Sequence, residues 1–195
     1  MTQTPRDAQS SLREEVAANR TPDHDVDPLF VNRWSPRAMT GESLPESEFL
    51  PLFEAARWAP SAYNNQHWRF VYATREDAEW DTFVELLNEA NQARATNAAV
   101  LVGVFSKTTI EGSGDPAATG SFDTGAAFQN LALEGTRRGL AVHPMAGFDW
   151  ASIHEALGVP EDEFDAEAMI AIGERADPET LPEEVQEREV PSDRK

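Results

Sequence analysis

The strongest constraint on the fold is an unbroken apolar segment near the middle of the chain, AAVLVGVFS at residues 98–106. Because apolar and polar residues do not alternate in it, a strand formed by this segment could expose neither face to water. The segment therefore predicts a strand that is buried on both faces. At 195 residues the chain is long enough to build the core of one domain around such a strand.

The segments on either side alternate between helical and extended patterns. Residues 45–60 predict an amphipathic helix, because apolar residues recur at the i, i+3, i+4, i+7 spacing, namely Phe49, Leu52, Phe53 and Ala56. Further helices are predicted over 76–90, 123–139 and 149–158, and further strands over 68–74 and 167–175, with a strand that leads into a loop over 140–148. This alternation predicts an α/β or an α+β fold.

The predicted helix over 123–139 has small and apolar residues on several faces, and Gly139 marks its C-terminal end. A helix of this kind is buried on most sides, either in a core or in a subunit interface. The segment before it, residues 107–122, is rich in Gly, Ser and Pro and is long for a loop in a compact domain. We therefore expect that loop to be functional or mobile.

The charge of the chain is strongly negative and unevenly distributed. Sixteen Lys and Arg against 35 Asp and Glu give a formal net charge of −19, and residues 161–195 alone carry −9. We divide the chain into a polar N-terminal extension (1–26), a central domain (27–176) and an acidic C-terminal arm (177–195). So negative a surface repels nucleic acid, whose binding depends on Lys and Arg that neutralise phosphates.

The acidity also points to adaptation to concentrated salt. Only two of the sixteen basic residues are lysines, which agrees with such a composition. In molar salt the Debye length falls to about 3 Å, so neighbouring carboxylates no longer repel one another over longer distances. The alternative is an ordinary acidic protein from a genome rich in G and C.

Several common kinds of site are missing from the sequence. The absence of cysteine excludes disulfides and thiolate nucleophiles, and the four histidines lack the spacing of metal ligands, so no metal site is predicted. Residues 112–117, GSGDPA, fit a dinucleotide-binding pattern but do not open a helix directly after a strand. No apolar stretch reaches 18 residues and the N-terminus lacks an apolar signal core, which predicts a cytoplasmic protein without a membrane span.

Two short polar segments remain as candidates for binding. In the first, Arg33, Ser35 and Arg37 alternate with Trp34 and Pro36. If this segment is extended, both guanidinium groups and the hydroxyl lie on one side of it. Arginines beside a hydroxyl suit a phosphate group, although a pair of surface arginines would have the same spacing.

The second segment, residues 59–68, joins a predicted helix to a predicted strand. It presents amide side chains and backbone groups in a row. Such groups suit the edge of a heteroaromatic ring, which carries both donors and acceptors. The alternative is a polar turn in front of a core tryptophan, Trp68.

From about Pro28 to Arg194 the chain resembles the nitroreductase family of flavin enzymes. Arg33-x-Ser35-x-Arg37 is similar to the family's opening Arg-x-Ser-x-Arg/Lys motif. The family's Pro-Ser-x-x-Asn-x-Gln-Pro-Trp segment is matched by Pro60, Ser61, Asn64, Gln66 and Trp68. Residues 123–139 resemble the family's long central dimer helix, and residues 144–149 resemble the loop whose backbone reaches the flavin ring.

This resemblance implies an α+β fold with a sheet flanked by helices, and an intertwined homodimer with two FMN sites shared between the subunits. Arg33, Ser35 and Arg194 would hold the FMN phosphate, and Arg37 would reach the pyrimidine side of the ring or the ribityl chain. Further contacts to the ring would come from Pro60, Ser61, Ala62, Asn64, Gln66 and the backbone of Ala146 and Gly147, the last pair at flavin N5.

The implied activity is that of an FMN-dependent oxidoreductase. It would pass hydride from NADH or NADPH through flavin N5 to a nitroaromatic, a quinone or a similar small molecule in a ping-pong cycle. No protein residue would be the catalytic group, because the flavin carries the chemistry. The alternatives are another reaction of the same fold (dehalogenation, enone reduction or flavin destruction) and a flavin-binding protein without dedicated turnover.

The chain departs from the family's pattern at two matched positions. His67 replaces the proline, and Ala146 stands where some members have an acidic residue. Some members also supply an Asn or a Lys from the second helix, and the candidates for that residue here are Asn91 and Arg94.

Overall fold

The computed structural model describes residues 11–194 of the chain. The sheet has four strands in the order β1-β2-β4-β3, and every neighbouring pair is antiparallel. The strands are β1 (Trp68–Thr74), β2 (Val100–Lys107), β3 (Leu140–Met145) and β4 (Phe164–Glu174). β1 and β3 therefore form the two opposite edges, and β2 has a partner strand on each side.

Eight α-helices lie within the described residues: α1 (Glu14–Ala17), α2 (Pro28–Asn32), α3 (Glu46–Arg57), α4 (Trp80–Leu86), α5 (Glu89–Ala95), α6 (Gly120–Arg138), α7 (Ile153–Leu157) and α8 (Glu183–Gln186). Short 3-10 turns lie at Ala62–Asn64 and Pro178–Thr180. Helices α3 and α6 cover one face of the sheet, and α4, α5 and α7 contribute to the core on the other.

The central apolar segment forms a strand buried on both faces, as predicted. Val102 and Val104 of β2 pack in the core beneath α3 and α6, whereas Leu101 and Phe105 pack in the core on the opposite face. Every residue from 100 to 106 is buried. The three resulting layers, helices, sheet and helices, confirm the α+β prediction.

The predicted helix over 76–90 is wrong in its extent, because the chain forms two shorter helices there. α4 ends before Leu87, whose backbone is extended and forms a bridge with Phe148. The Asn88 side chain then accepts a hydrogen bond from the backbone of Asn91 and starts α5 as its N-cap. A tertiary contact therefore interrupts an amphipathic pattern that continues in the sequence.

Other boundaries differ from the predictions by a few residues. α6 starts at Gly120, so the end of the predicted loop over 107–122 is helical, and it ends at Gly139, whose φ of 78° is left-handed as a C-terminal glycine allows. α7 is shorter than predicted, because the Asp149 carboxylate instead accepts bonds from the backbone of Ala151 and Ser152 in the turn before it. β4 begins at Phe164, earlier than expected.

Both terminal segments pack against the central part of the chain. Val16 of α1 is fully buried, and the buried side chain of Arg20 contacts the backbone after α2. In the C-terminal segment, Leu181 and Val185 form a small apolar cluster with Ala38. The described parts of the N-terminal and C-terminal segments thus meet next to residues 33–38, where Arg20 donates to the Ser192 carbonyl.

Candidate functional site

Residues 33–38 form an extended segment after α2. The side chains at positions 34, 36 and 38 are buried, and those of Arg33, Ser35 and Arg37 are half-buried on the opposite side. His143 of β3 fixes the backbone here, because its Nδ1 donates to the Ser35 carbonyl over 2.9 Å. The segment therefore presents two guanidinium groups and one hydroxyl on one side, as the alternation predicts.

Arg33 lies close to two arginines from distant parts of the chain, Arg20 and Arg194. Burial and the nearby Arg194 lower the pKa of Arg33, and burial, Arg194 and Arg33 lower the pKa of Arg20. Asp193 acts against this repulsion at Arg20. Three cations that repel one another are unfavourable unless an anion binds among them. In a chain with a net charge of −19, such a cluster is therefore a candidate anion-binding site.

Arg37 is held by the C-terminal segment. The buried carboxylate of Glu189 accepts from the backbone amides of Arg37, at 2.7 Å, and Ala38, at 3.0 Å. Its other oxygen lies 3.4 Å from the Arg37 guanidinium, which also donates to the Arg188 carbonyl. The position of the Arg37 charge thus depends on a residue more than 150 positions away in the sequence.

A narrow cleft between β3 and α5 has a mostly apolar lining, to which three basic residues also belong, Arg37, Arg94 and His143. The Nε of Arg94 is buried and has no hydrogen-bond partner. Burial lowers the pKa of His143, and so do Arg37 and Arg94, whereas the bond to Ser35 and the nearby Glu189 raise it. The buried Nε of Arg94 is therefore a donor left without an acceptor, beside Arg37 and His143.

The loop after β3 is packed tightly against the start of α5. The Gly147 carbonyl accepts from the backbone of Asn88 and from the Asn91 carboxamide, each at 3.0 Å. A Cβ atom on Gly147 would lie 2.3 Å from Asn88 Nδ2 and 2.7 Å from Asn91 Nδ2, so a larger residue would have to displace both carboxamides. Ala146 is exposed, and its carbonyl accepts from the Trp150 indole. The Asn91 side chain therefore positions Gly147.

The loop before β1 has an unusual backbone. Tyr63, Asn64 and Gln66 all have left-handed φ angles, of 52°, 58° and 50°. Non-glycine residues in this region are strained, and such strain persists where surrounding contacts fix it. Here the Ser61 hydroxyl accepts from the backbone of Gln66, and the Asn65 side chain donates to the Ala62 carbonyl.

A buried pair beneath this loop was not anticipated from the sequence. The Asp123 carboxylate accepts from His67 Nδ1 and from the Ala62 backbone amide, both at 3.0 Å. Thr119 also donates to it, and His67 Nε2 is buried without a partner. From the sequence, the histidines predict no metal site, and His67 is notable only because it replaces the family's proline. Its place directly before a buried strand was the one signal available.

The family model for the Nitroreductase family matches residues 31–174, which span the 33–37 segment, the 60–68 loop, α6 and Gly147. The chain belongs to the nitroreductase family. This confirms the resemblance drawn from the four motifs, and with it the predicted fold.

Solved structures and sequence relatives agree with this membership. A crystal structure described as an oxidoreductase containing FMN is 47% identical, with a TM-score of 0.86 and coverage of 90% of each chain. A candidate nitroreductase from Desulfovibrio desulfuricans, solved in complex with FMN, is 25% identical with a TM-score of 0.67, over 76% of this chain and 84% of that one.

Among sequence relatives, an uncharacterized 15.4 kDa protein of Mycolicibacterium smegmatis is 36% identical over 60% of this chain and 76% of its own length. A Stenotrophomonas maltophilia protein, named as a candidate NADH dehydrogenase/NAD(P)H nitroreductase, is 27% identical over 68% of this chain and 76% of its own.

In this nitroreductase-family protomer the predicted site residues fall into two groups. The first surrounds the end of β3 and contains Arg33, Ser35, Arg37, Ala146, Gly147 and Arg194. The second is the loop before β1, with Pro60, Ser61, Ala62, Asn64 and Gln66. β1 and β3 are opposite edges of the sheet, three strand spacings or roughly 14 Å apart, so the two groups lie at opposite edges of the sheet in one protomer.

Within residues 11–194, no helix has the length and hydrophobicity that a membrane span requires. No group of three or more His, Cys, Asp or Glu side chains in that range could hold a metal ion.

Proposed function

We propose that this chain is an FMN-dependent oxidoreductase that takes hydride from NADH or NADPH and passes it to a nitroaromatic, a quinone or a similar small acceptor. The proposal rests on basic groups that could accept a negatively charged ligand. Arg33 lies beside Arg194, which repels it, and the buried Nε of Arg94 has no hydrogen-bond acceptor. FMN has the complementary chemistry, with a phosphate at one end and carbonyl oxygens at the other. The FMN of the relative at 47% identity supports this assignment.

In this proposal Arg33, Ser35 and Arg194 hold the phosphate, while Arg37 and Arg94 face the pyrimidine side of the ring. The backbone of Ala146 and Gly147 would lie at the ring, held there by Asn88 and Asn91. Bound FMN would supply the redox chemistry, a hydride taken at N5 and given up again in a ping-pong cycle. The residues of the chain bind and orient the cofactor.

Glu189 has a defined role in this arrangement. It accepts from two backbone amides and lies beside the Arg37 guanidinium, so it fixes the position of that guanidinium before binding, while its own negative charge offsets part of the Arg37 charge. A fixed cation stabilises negative charge on a neighbouring ligand without the cost of reorganising at the moment of reaction. Arg37 would therefore favour the reduced, more negative form of a bound flavin.

We propose that the site is completed by a second copy of the chain, in a homodimer. The loop before β1 and the first group of site residues lie at opposite edges of the sheet within one protomer. Large aromatic side chains near that loop are exposed, with Tyr63 at 90%, Phe122 at 78% and Trp58 at 73%. Exposed apolar surface of this extent supports a protein interface.

The domain limits 1–26, 27–176 and 177–195 remain predictions, and so does a cytoplasmic location, which suits a reductase that draws on NAD(P)H. The name of the Stenotrophomonas maltophilia relative supports a nicotinamide co-substrate. Another reaction of the same fold, or flavin binding without turnover, stays the second candidate.

A spectroscopic experiment tests the proposal. The purified chain, loaded with FMN under anaerobic conditions, is expected to lose its visible flavin absorbance on addition of NADH or NADPH. Absorbance should return on addition of a nitroaromatic or a quinone. Failure to bind FMN at all would refute the cofactor assignment. Binding without bleaching by either nucleotide would leave the flavin-binding alternative.

A further inference from the structure

Arg20 belongs to a segment outside the matched residues 31–174, yet it reaches the candidate site. It follows α1, whose Val16 is fully buried and anchors this part of the chain. The Arg20 side chain is itself buried, with 8% of the residue exposed. The segment that the sequence describes as a polar extension therefore places a buried cation beside Arg33.

The hydrogen bonds of Arg20 join three segments of backbone. Its Nε donates to the Ser192 carbonyl over 2.8 Å, and its Nη1 donates to the carbonyls of Val31 and Arg33 over 2.6 and 2.9 Å. Only a planar guanidinium can supply these donors in fixed directions, since a lysine ammonium is a compact point charge. One side chain thus sets the distance between the start of the 33–37 segment and the C-terminal segment.

The charge of Arg20 adds to that of the side chains it positions. Arg33 and Arg194 both repel it, and Asp193 partly offsets the repulsion. The three acceptors of Arg20 are neutral carbonyls, so they do not cancel its charge. Gathering three cations in this way costs free energy, unless an anion binds among them.

We propose that Arg20 is a positioning residue of the phosphate site, which holds the backbone of Arg33 and Ser192 so that Arg33 and Arg194 meet one phosphate monoester. This inference rests on the proposed function, because the phosphate concerned is that of FMN. It adds a residue that lies outside the family match over 31–174. It also implies that phosphate binding depends on the C-terminal segment being held next to Arg33.

Comparing the affinities for FMN and riboflavin distinguishes a role at the phosphate from general structural support. The two compounds share the ring and the ribityl chain, and only FMN carries the phosphate. The full chain, freed of flavin, is titrated with each compound by flavin fluorescence. We expect Arg20→Lys and Arg20→Ala to bind FMN at least about tenfold more weakly. Displacing Arg33 or Arg194 would cost a hydrogen bond to the charged phosphate, and a loss of this size is typical for such a bond. Riboflavin has no phosphate, so its affinity should be unchanged. Arg75→Lys, which changes another arginine that donates to backbone carbonyls, those of Thr96 and Ala98, is the control and should keep the parent's ratio of FMN to riboflavin affinity.

Affinities for both FMN and riboflavin that match the parent in folded Arg20 variants would overturn the inference. Equal losses for both compounds would also overturn it, since they indicate a purely structural residue. If the parent binds neither compound, the proposed function itself fails, and this outcome is distinct from the other two.

A measurement on the parent keeps the inference testable if both variants fail to fold. Amide hydrogen exchange in residues 187–194 should slow more with FMN than with riboflavin at equal saturation, because the phosphate would join Arg194 to Arg33. Equal protection by the two compounds would overturn the inference.

Discussion

His143 is a half-buried histidine in a cleft that carries two arginines. Burial lowers its pKa, and Arg37 and Arg94 lower it further, so the folded protein keeps it neutral at pH values where an unfolded chain would protonate it. The neutral ring donates from Nδ1 to the Ser35 carbonyl and keeps the 33–37 segment in place. Its protonation would add a third positive charge to the cleft.

This histidine predicts a dependence of stability on pH. Between the lowered folded pKa and the unfolded value of about 6.5, the unfolded state binds more protons, so stability falls as the pH is lowered. In His143→Asn, which keeps an amide donor, this contribution disappears. Urea unfolding from pH 7.5 to 5 should show a smaller loss of stability in the variant than in the parent, and equal losses would contradict the assignment.

Asp123 carries the second residue-scale prediction. Its carboxylate accepts from His67 and from the Ala62 amide beneath the strained loop. Asp123→Ala leaves the buried His67 donor and the partly buried Ala62 amide without this acceptor, at about 1–3 kcal/mol of unfolding free energy for the buried donor and less for the amide. Asp123→Asn keeps one acceptor oxygen and should lose less. If chemical denaturation finds the alanine variant as stable as the asparagine variant, the pair does not hold the loop.

At the scale of elements, the packing of α6 on β3 and α3 depends on a missing side chain. A Cβ atom on Gly135 of α6 would lie 2.4 Å from Val142 Cγ2 and 3.4 Å from Leu52 Cδ2. Val142 is buried and β-branched, so it has little freedom to move aside. Glycine in mid-helix is unfavourable by itself, and here close approach to the sheet requires it.

The prediction compares two glycines of the same helix. Gly135→Ala should destabilise the protein by about 1–3 kcal/mol through overpacking, despite the better helix propensity of alanine. Gly125→Ala, which meets nothing within 4 Å, should leave stability unchanged or raise it by up to about 1 kcal/mol. Thermal melts of both variants test this. A stable Gly135→Ala protein would mean that β3 can shift away from α6.

At the scale of the whole molecule, the charge is −19, yet arginines gather at the candidate site. The carboxylates repel one another across the surface, and this repulsion opposes folding at low ionic strength. The same salt that screens it would also weaken phosphate binding by the arginines. Stability and cofactor affinity are therefore expected to respond to salt in opposite directions.

A salt series tests the proposed adaptation. Between about 0.1 M and about 1 M potassium chloride the Debye length falls from about 10 to about 3 Å, so the melting temperature should rise. Glu183→Gln combined with Glu184→Gln, two exposed residues of α8, should flatten that rise. A melting temperature that does not increase would favour the ordinary acidic protein.

Local patterns predicted much of the fold. The bounds of β1 were predicted without error and those of β2 nearly so, and α6 ends at the predicted glycine. The prediction of one continuous helix over 76–90 was wrong, because the backbone bridge between Leu87 and Phe148 interrupts the helix although the amphipathic pattern continues. The spacing of apolar residues predicts only local backbone geometry. It cannot predict a contact with a residue about sixty positions away.

The sequence by itself determined the family, the doubly buried strand, the extended Arg33–Arg37 segment and the charge, since each of these depends on residue type and short spacing. The tertiary structure decided which distant groups meet: Arg20 and Arg194 at Arg33, Glu189 at Arg37, and Asp123 at His67. It also decided that the two motif groups lie on opposite edges of the sheet. These outcomes follow from strand order and chain reversal, which bring together residues that no local spacing relates.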